Sequence, residues 1–328
     1  MAHFIIKRLL MLIPMLFLIS LVSFLIIQLP PGDYLTAYVA RLSSTGERVD
    51  EAELENLRIR FGLDQPVYVQ YAKWIGGIVL RGDFGRSFQY RAPVTWLLGE
   101  RIVLTIVLSA LALVLTWIVA FPIGIYSAVR EYSIGDYVAT FFGFVGMATP
   151  SFLVALIVLY LLFRFGNTTV SGLFSPGFEN APWSLAKVVD LMKHIWLPAA
   201  ILGVGGTAGL IRTMRANLLD EMHKPYVTTA RAYGFSERTV ILRFPVRVAL
   251  NPFISGIGWS LAYLVSGSVI VAIVFNMQTV GPIFHIALLG QDMFLAGAIV
   301  FMLSAMTVIG TLISDLLLAW VDPRIRFQ

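Results

Sequence analysis

The chain has 328 residues, of which 58% are hydrophobic and 13% charged, with a formal net charge of +5 and no cysteine. A soluble domain carries roughly a quarter charged residues, so the composition marks an integral membrane protein, expected to be all-α from the length of its apolar runs. The missing cysteine removes disulfides, iron–sulfur clusters, zinc ribbons and thiol catalysis together. The basic excess lies in loops beside apolar runs, which points to a lipid bilayer and not to nucleic acid.

About 20 apolar residues, rising about 1.5 Å each, cross about 30 Å of hydrocarbon. Charge-free runs of that order lie at 9–29, 102–125, 137–163, 195–211, 249–275 and 293–314, which predicts six transmembrane helices. The first follows Lys7 and Arg8 as a signal peptide would. It is too long for a typical h-region and no small-residue cleavage site follows, so it reads as a retained span. The resulting division is 1–29 for the amino terminus and first helix, 30–101 for a subdomain between helices 1 and 2, and 102–328 for a core of five spans.

Within 30–101, Asp50-Glu51-Ala52-Glu53 reads as a capped helix start. Leu54, Leu57 and Phe61 then share one face before Gly62 ends the helix. Pro66 opens a second helix whose Tyr68, Tyr71, Ile75 and Ile78 fall at helical spacing, a packing stripe. Further on, Pro122, Pro150 and Pro198 are expected to kink their spans. Gly205 and Gly209 form a Gly-x-x-x-Gly pair of the kind that lets helices approach closely. Residues 249–291 carry no formal charge, and Gly281-Pro282 is expected to break that run, so that 277–290 dips into the outer face. Asp315 is the one ionisable residue expected inside a span, near the inner end of the last helix.

Lys and Arg set the orientation. With six spans, Lys7, Arg8, Arg130, Arg212, Arg215, Lys224, Arg231, Arg238, Arg243, Arg247, Arg324 and Arg326 fall on one side, while the two shorter opposite loops hold only Arg164, Lys187 and Lys193. Both termini are therefore expected in the cytoplasm, with 30–101 outside.

That orientation puts 212–248, between helices 4 and 5, on the cytoplasmic side. Pro225 suits a first helical turn, where its missing N–H has no intrahelical partner anyway. Gly234 suits the left-handed residue that stops a helix. Ser236 can cap a second short helix with Glu237 in its first turn, until Pro245 ends it. The product is helix, glycine, helix: too polar to span, without obvious chemistry, and shaped to dock.

The run Tyr226-Val227-Thr228-Thr229-Ala230-Arg231-Ala232-Tyr233-Gly234-Phe235-Ser236 resembles the cytoplasmic coupling loop of permease subunits of ATP-binding-cassette importers, in the oligopeptide/dipeptide/nickel branch and the first of its two permeases. Other segments are similar in order: Pro31-Gly32-Asp33, Phe61-Gly62-Leu63-Asp64-Gln65-Pro66, Gln70-Tyr71, Gly82-Asp83-Phe84-Gly85-Arg86-Ser87 and the closing Asp322-Pro323-Arg324-Ile325-Arg326. The resemblance implies a second homologous permease, two ATPase subunits and an extracytoplasmic solute-binding protein as partners, in the inner membrane. It also implies that Tyr226, Thr229, Ala230, Arg231, Tyr233, Gly234 and Ser236 form the ATPase-coupling surface.

No Gly-x4-Gly-Lys-Ser/Thr sequence occurs, so ATP and Mg are expected on partner subunits, with no cofactor, metal or catalytic residue in this chain. His3, His194, His223 and His285 lack a second ligand at metal spacing. Gly203-Val204-Gly205-Gly206 lacks the strand and later acid of a dinucleotide site. Ser266-Gly267-Ser268 has no histidine partner at helical spacing and reads as packing or a polar pore wall. The chain departs from the family pattern at Thr228 (often Glu), Phe244 (commonly His), Ala272 (commonly an acid) and 276–282, in place of Pro-Gly-x-Gly. The resemblance implies oligopeptides as the cargo, and these departures bring in oligosaccharides or another medium-sized polar solute as the alternative. An ion-coupled carrier is the rival class, for which paired broken helices and intramembrane charges would be expected.

Overall fold

A computed structural model describes residues 2–28, 35–36, 39, 55–56, 59, 64–166 and 171–321. The expected helix start at 50–53, the face of Leu54, Leu57 and Phe61, the motif Pro31-Gly32-Asp33 and the closing 322–326 lie outside the described residues. Among those described, regular structure is helical, apart from one antiparallel bridge between Arg86 and Pro93. The helices are α1 (Ala2–Gln28), α2 (Val67–Arg81), α3 (Val94–Val129), α4 (Ile134–Ala148), α5 (Ser151–Gly166), α6 (Leu185–Met222), α7 (Pro225–Ala232), α8 (Glu237–Arg243), α9 (Pro245–Ala249), α10 (Asn251–Ser255), α11 (Ile257–Val274), α12 (Val280–Leu289) and α13 (Met293–Val321).

Among the described residues, four helices are long and apolar enough to cross a membrane, Val94–Val129, Leu185–Met222, Ile257–Val274 and Met293–Leu318. A fifth is obtained if the bent pair α4–α5 counts as one span. The apolar stretch of α1, Leu10–Leu25, falls short of that length. The expected single span at 137–163 is two helices meeting at 96°. Pro150 disfavours helical geometry at the residue before it, and Thr149 is extended (φ −95°, ψ 116°). Pro122 and Pro198, by contrast, lie inside continuous helices. The run 195–211 proves to be the middle of the 38-residue α6, about 57 Å long.

Two compact units make up the chain, Met1–Leu104 with Thr279–Val308, and Thr105–Gln278 with Ile309–Gln328. In the first, α1 packs on α2 through Phe24 against Tyr71 (5.4 Å between ring centroids) and Trp74 (5.7 Å), with the Ser20 and Tyr71 hydroxyls 2.9 Å apart. The buried face of α2 is therefore Trp74 and Gly77, while Tyr68, expected in the stripe, is 74% exposed. The unit's core joins Val94, Leu97 and Leu98 to Val280, Ile283, Leu295 and Ile299. Asp292 is fully buried beside it. Its carboxylate accepts from the Ser87 hydroxyl (2.5 Å), the Gln89 amide (3.0 Å) and the Leu295 amide (3.2 Å), so the turn after α2 is fastened to the start of α13.

The break expected at Gly281-Pro282 falls earlier. Asn276 takes a left-handed conformation (φ 51°), and the Met277 amide closes back on the Ala272 carbonyl at 2.8 Å, a helix stop in which Asn does what Gly usually does. Pro282 instead sits in the first turn of α12, where its absent N–H costs nothing. With ten residues, α12 is too short to cross hydrocarbon.

In the second unit, α3, α4, α6, α11 and the end of α13 pack at glycines. These are not Gly205 and Gly209, which have open space where a Cβ would stand. The close approaches are Gly124 on Met214, Gly203 on Thr116 and Gly258 on Gly310 and Thr311. In the first turn of α6, Lys187 is 1% exposed, its ammonium 4.8 and 4.9 Å from the Phe174 and Trp183 rings and 2.9 Å from the Ala181 carbonyl. Asp190 accepts from the Ser175 amide and hydroxyl, both at 2.7 Å. Asp315 is only half-buried, whereas Asp136, Lys187, Asp190 and Asp292 are buried. The helices run well past the charge-free stretches that marked the spans.

A Cβ at Gly258 would stand 2.6 Å from the Gly310 carbonyl carbon and 2.8 Å from the Thr311 Cα, backbone that cannot rotate away. Gly258→Leu is expected to destabilise the protein by about 1–3 kcal/mol. Gly205→Ala, in open space, should leave the thermal midpoint in detergent unchanged or higher. Equal midpoints for Gly258→Leu and wild type would show that the crossing does not hold the unit together.

Candidate functional site

The polar segment after α6 is built as a small folded element with its own core. His223 ends α6, Lys224 is extended (φ −73°, ψ 147°), and Pro225 opens α7. Gly234 has φ +81°, the left-handed region that a β-branched residue avoids. Ser236 precedes α8 in an extended conformation (φ −61°, ψ 144°). Its hydroxyl lies 2.8 Å from that of Thr239 and makes no capping bond to the backbone, so the cap expected there is absent. Phe244 (φ −108°, ψ −79°) turns the chain into α9, which Pro245 begins.

Inside the bend, Val227, Ala230 and Val240 are buried against one another, with Phe244 packed on them. Phe244 also lies 6.0 Å from the Phe235 ring. The departure at position 244 is thus absorbed by aromatic packing within the element. Across the bend, the Arg231 guanidinium donates two bonds to Glu237, Nε to Oε2 at 3.1 Å and a terminal nitrogen to Oε1 at 2.7 Å. This bidentate bond holds the Glu237 carboxyl below its ordinary range and raises the guanidinium. The Tyr226 hydroxyl donates to Glu221 at 2.5 Å. Burial first, and then that carboxylate, push the phenol above its ordinary range, so it remains a donor. Lys224 pairs with Asp220 at 3.3 Å, and the Thr229 hydroxyl is turned inward onto the Pro225 carbonyl at 3.0 Å.

The expected site residues therefore divide. Tyr226, Thr229, Arg231, Tyr233, Gly234 and Ser236 are exposed, with Tyr233 standing 80% clear of the protein; Ala230 is only 5% exposed and belongs to the inner core. Glu237, Glu221 and Phe235 were missed as members. The Arg–Gly–Glu order at 231, 234 and 237 was the available signal, since a glycine bend returns a residue six places on to the same side.

The element is seated on spanning helices. Ile241, Val246 and Ala249 share a core with Met214 and Leu218 of α6, Ala128 of α3 and Phe253 of α10. Phe121 stacks edge-on against Phe253 at 5.0 Å. Nearby, Arg215 of α6 binds Asp136 at 3.1 and 3.2 Å and Glu131 at 3.3 Å, fastening the turn between α3 and α4 to the same helix. The bend, α6 and α3 therefore share one packed core. Among the described residues no group of three or more His, Asp and Glu could hold a metal.

Residues 120–327 match the family described as binding-protein-dependent transport system inner membrane component, and residues 1–114 match the N-terminal family of such membrane components. The chain is 35% identical to the oligopeptide transport system permease protein AppB of Bacillus subtilis over the whole of both chains. It is 30% identical, again over both whole chains, to the glutathione transport system permease protein GsiC of Escherichia coli K12. It is 28% identical to the peptidoglycan transport system permease protein YejB of Agrobacterium fabrum, covering 100% of this chain and 99% of the other.

The clamp across the bend has a signed pH dependence. Because the Glu237 carboxyl is depressed by Arg231, the stabilisation it lends is complete above the ordinary carboxylate range and is lost as pH falls through the lowered value. Glu237→Gln is expected to speed amide exchange at 232–237 at neutral pH. Wild type should reach that rate only in acid, and global stability should change by less than about 1 kcal/mol, since the pair is exposed. Equal exchange rates in the two proteins at neutral pH would mean that the clamp does not order the bend.

Proposed function

Since the chain belongs to the inner membrane components of binding-protein-dependent transport systems, the permease subunits of ATP-binding-cassette importers, we propose that it forms half of a pathway for oligopeptides or similar medium-sized polar solutes. Six spans, counting α1 and the α4–α5 pair, carry an extracytoplasmic subdomain at 30–101 and a cytoplasmic coupling loop at 212–248. A second homologous permease completes the pathway, two ATPase subunits bind ATP and Mg, and a solute-binding protein delivers cargo from outside. The relatives' names support the peptide cargo, and the excess of basic residues on one side supports the orientation.

The observation that carries this reading is the bent element itself: rigidly cored, apolar-seated on α6 and α3, and offering Tyr233, Tyr226 and Phe235 outward. Exposed tyrosines beside an arginine are the side chains that anchor protein interfaces. In the proposed cycle, ATP closes the ATPase pair, the docked bend moves with it, and α6 and α3 follow. Coupling requires that the bend contact the ATPases differently in the two states, because only a difference in interaction free energy shifts an equilibrium.

Gly234→Val tests the reading. A β-branched residue at φ +81° is strained by about 1–2 kcal/mol, so the bend must reshape while the buried seat stays intact. In proteoliposomes holding the whole importer, uptake is expected to fall by about tenfold with the complex still assembled, and ATP hydrolysis should no longer follow cargo-loaded binding protein. Normal uptake in that variant would remove the bend from the coupling pathway.

A further inference from the structure

Away from the docking element, α3, α4 and α6 enclose a groove of about 780 Å³. Its lining is apolar in effect as well as in composition. The Thr116 hydroxyl is satisfied by the Ala112 carbonyl at 2.7 Å, and the Thr207 hydroxyl by the Gly203 carbonyl at 2.7 Å, so neither asks for a polar occupant. The groove continues into a second cavity of about 250 Å³, with Ala139, Gly143, Ala208 and Ile211 lining both. This second cavity holds two arginines. Arg215 is neutralised by Asp136 and Glu131. Arg212 is exposed and rests on the Phe144 ring at 4.9 Å, with the Met147 sulfur at 3.7 Å; among the described residues no carboxylate pairs with it. A guanidinium lying on an aromatic face keeps its N–H edge available for an oxyanion.

We propose that this groove binds an anionic phospholipid, with an acyl chain along α3, α4 and α6 and the phosphate at Arg212. The chemistry matches end to end. Arg212 is the first charged residue after the apolar run 195–211, so it stands where hydrocarbon gives way to headgroups. Basic pockets between spanning helices are favoured seats for acidic headgroups. Both threonine hydroxyls on the walls are already bonded, so a polar cargo finds little there besides the Tyr126 phenol, and an apolar helix of a second subunit would leave Arg212 without a counter-charge at the membrane surface. The leaflet is the one adjoining the docking element. The site is a different one from the bend, and a lipid there wedges α4 against α6, the helix that carries the bend.

The test uses the intact importer complex, equilibrated with micelles holding equal amounts of phosphatidylglycerol and phosphatidylcholine of identical acyl chains. The complex is then washed, and retained lipid is counted by mass spectrometry. Wild type is expected to retain phosphatidylglycerol preferentially. Arg212→Gln should lower that preference by about fivefold, the contribution of one basic side chain at an anionic surface, while Arg212→Lys keeps most of it. Ala139→Phe, which fills the junction of the two cavities, should reduce retention of both lipids, and this variant decides the matter if Arg212→Gln fails to assemble. Equal retention of the two lipids by wild type, or unchanged retention in either Arg212→Gln or Ala139→Phe, would overturn the proposal. So would an Ala139→Cys variant of this cysteine-free chain that crosslinks efficiently to a cysteine on a neighbouring permease, since a protein helix would then fill the groove.

Discussion

The apolar contact between Ile241, Val246 and Ala249 and the α6 side chains Met214 and Leu218 is the constraint on which the molecule's working parts depend. A polar segment outside a bilayer has no reason to move with helices inside it unless the two share a packed core. Here they do, and Met214 and Leu218 are fully buried. Gly124 brings α3 against the same Met214, so α3, α6 and the bend form one tightly packed assembly. Close-packed contacts of this kind are little compressible and pass strain on.

The bend is stiffened independently of that seat. Its inner core of Val227, Ala230 and Val240 and its outer clamp of Arg231 and Glu237 act on opposite sides of Gly234. An exposed ion pair contributes little to global stability. Its effect here is geometric, fixing the angle between two short helices that would be marginal alone. Dividing the work in this way leaves Tyr233 free of the chain's own packing and available to a partner.

Buried charge is handled by the same logic at three other places. Asp292 is satisfied by three donors, Lys187 by carbonyl oxygen and two aromatic faces, and Asp136 by Arg215 and the Tyr132 amide. Each fastens a turn to the end of a long helix. They are structural clasps at helix ends, which explains how several ionisable groups can be buried among the described residues.

Much was legible in the residues taken in order. Apolar run length marked the long helices, Pro225 and Gly234 marked the start and stop of α7, and the basic residues beside them marked the polar element, because each of these effects is local: a missing N–H, a missing Cβ, a hydrophobic length. What the sequence could not disclose were effects that need two distant segments at once. Pro150 separates two helices while Pro122 does not; Asn276, not Gly281-Pro282, stops α11; Ala230 faces inward; and the glycines that matter are 124, 203 and 258 rather than 205 and 209. Spacing tells which residues share a face, but only the neighbour that arrives there decides whether that face is a seam, a seat or open space.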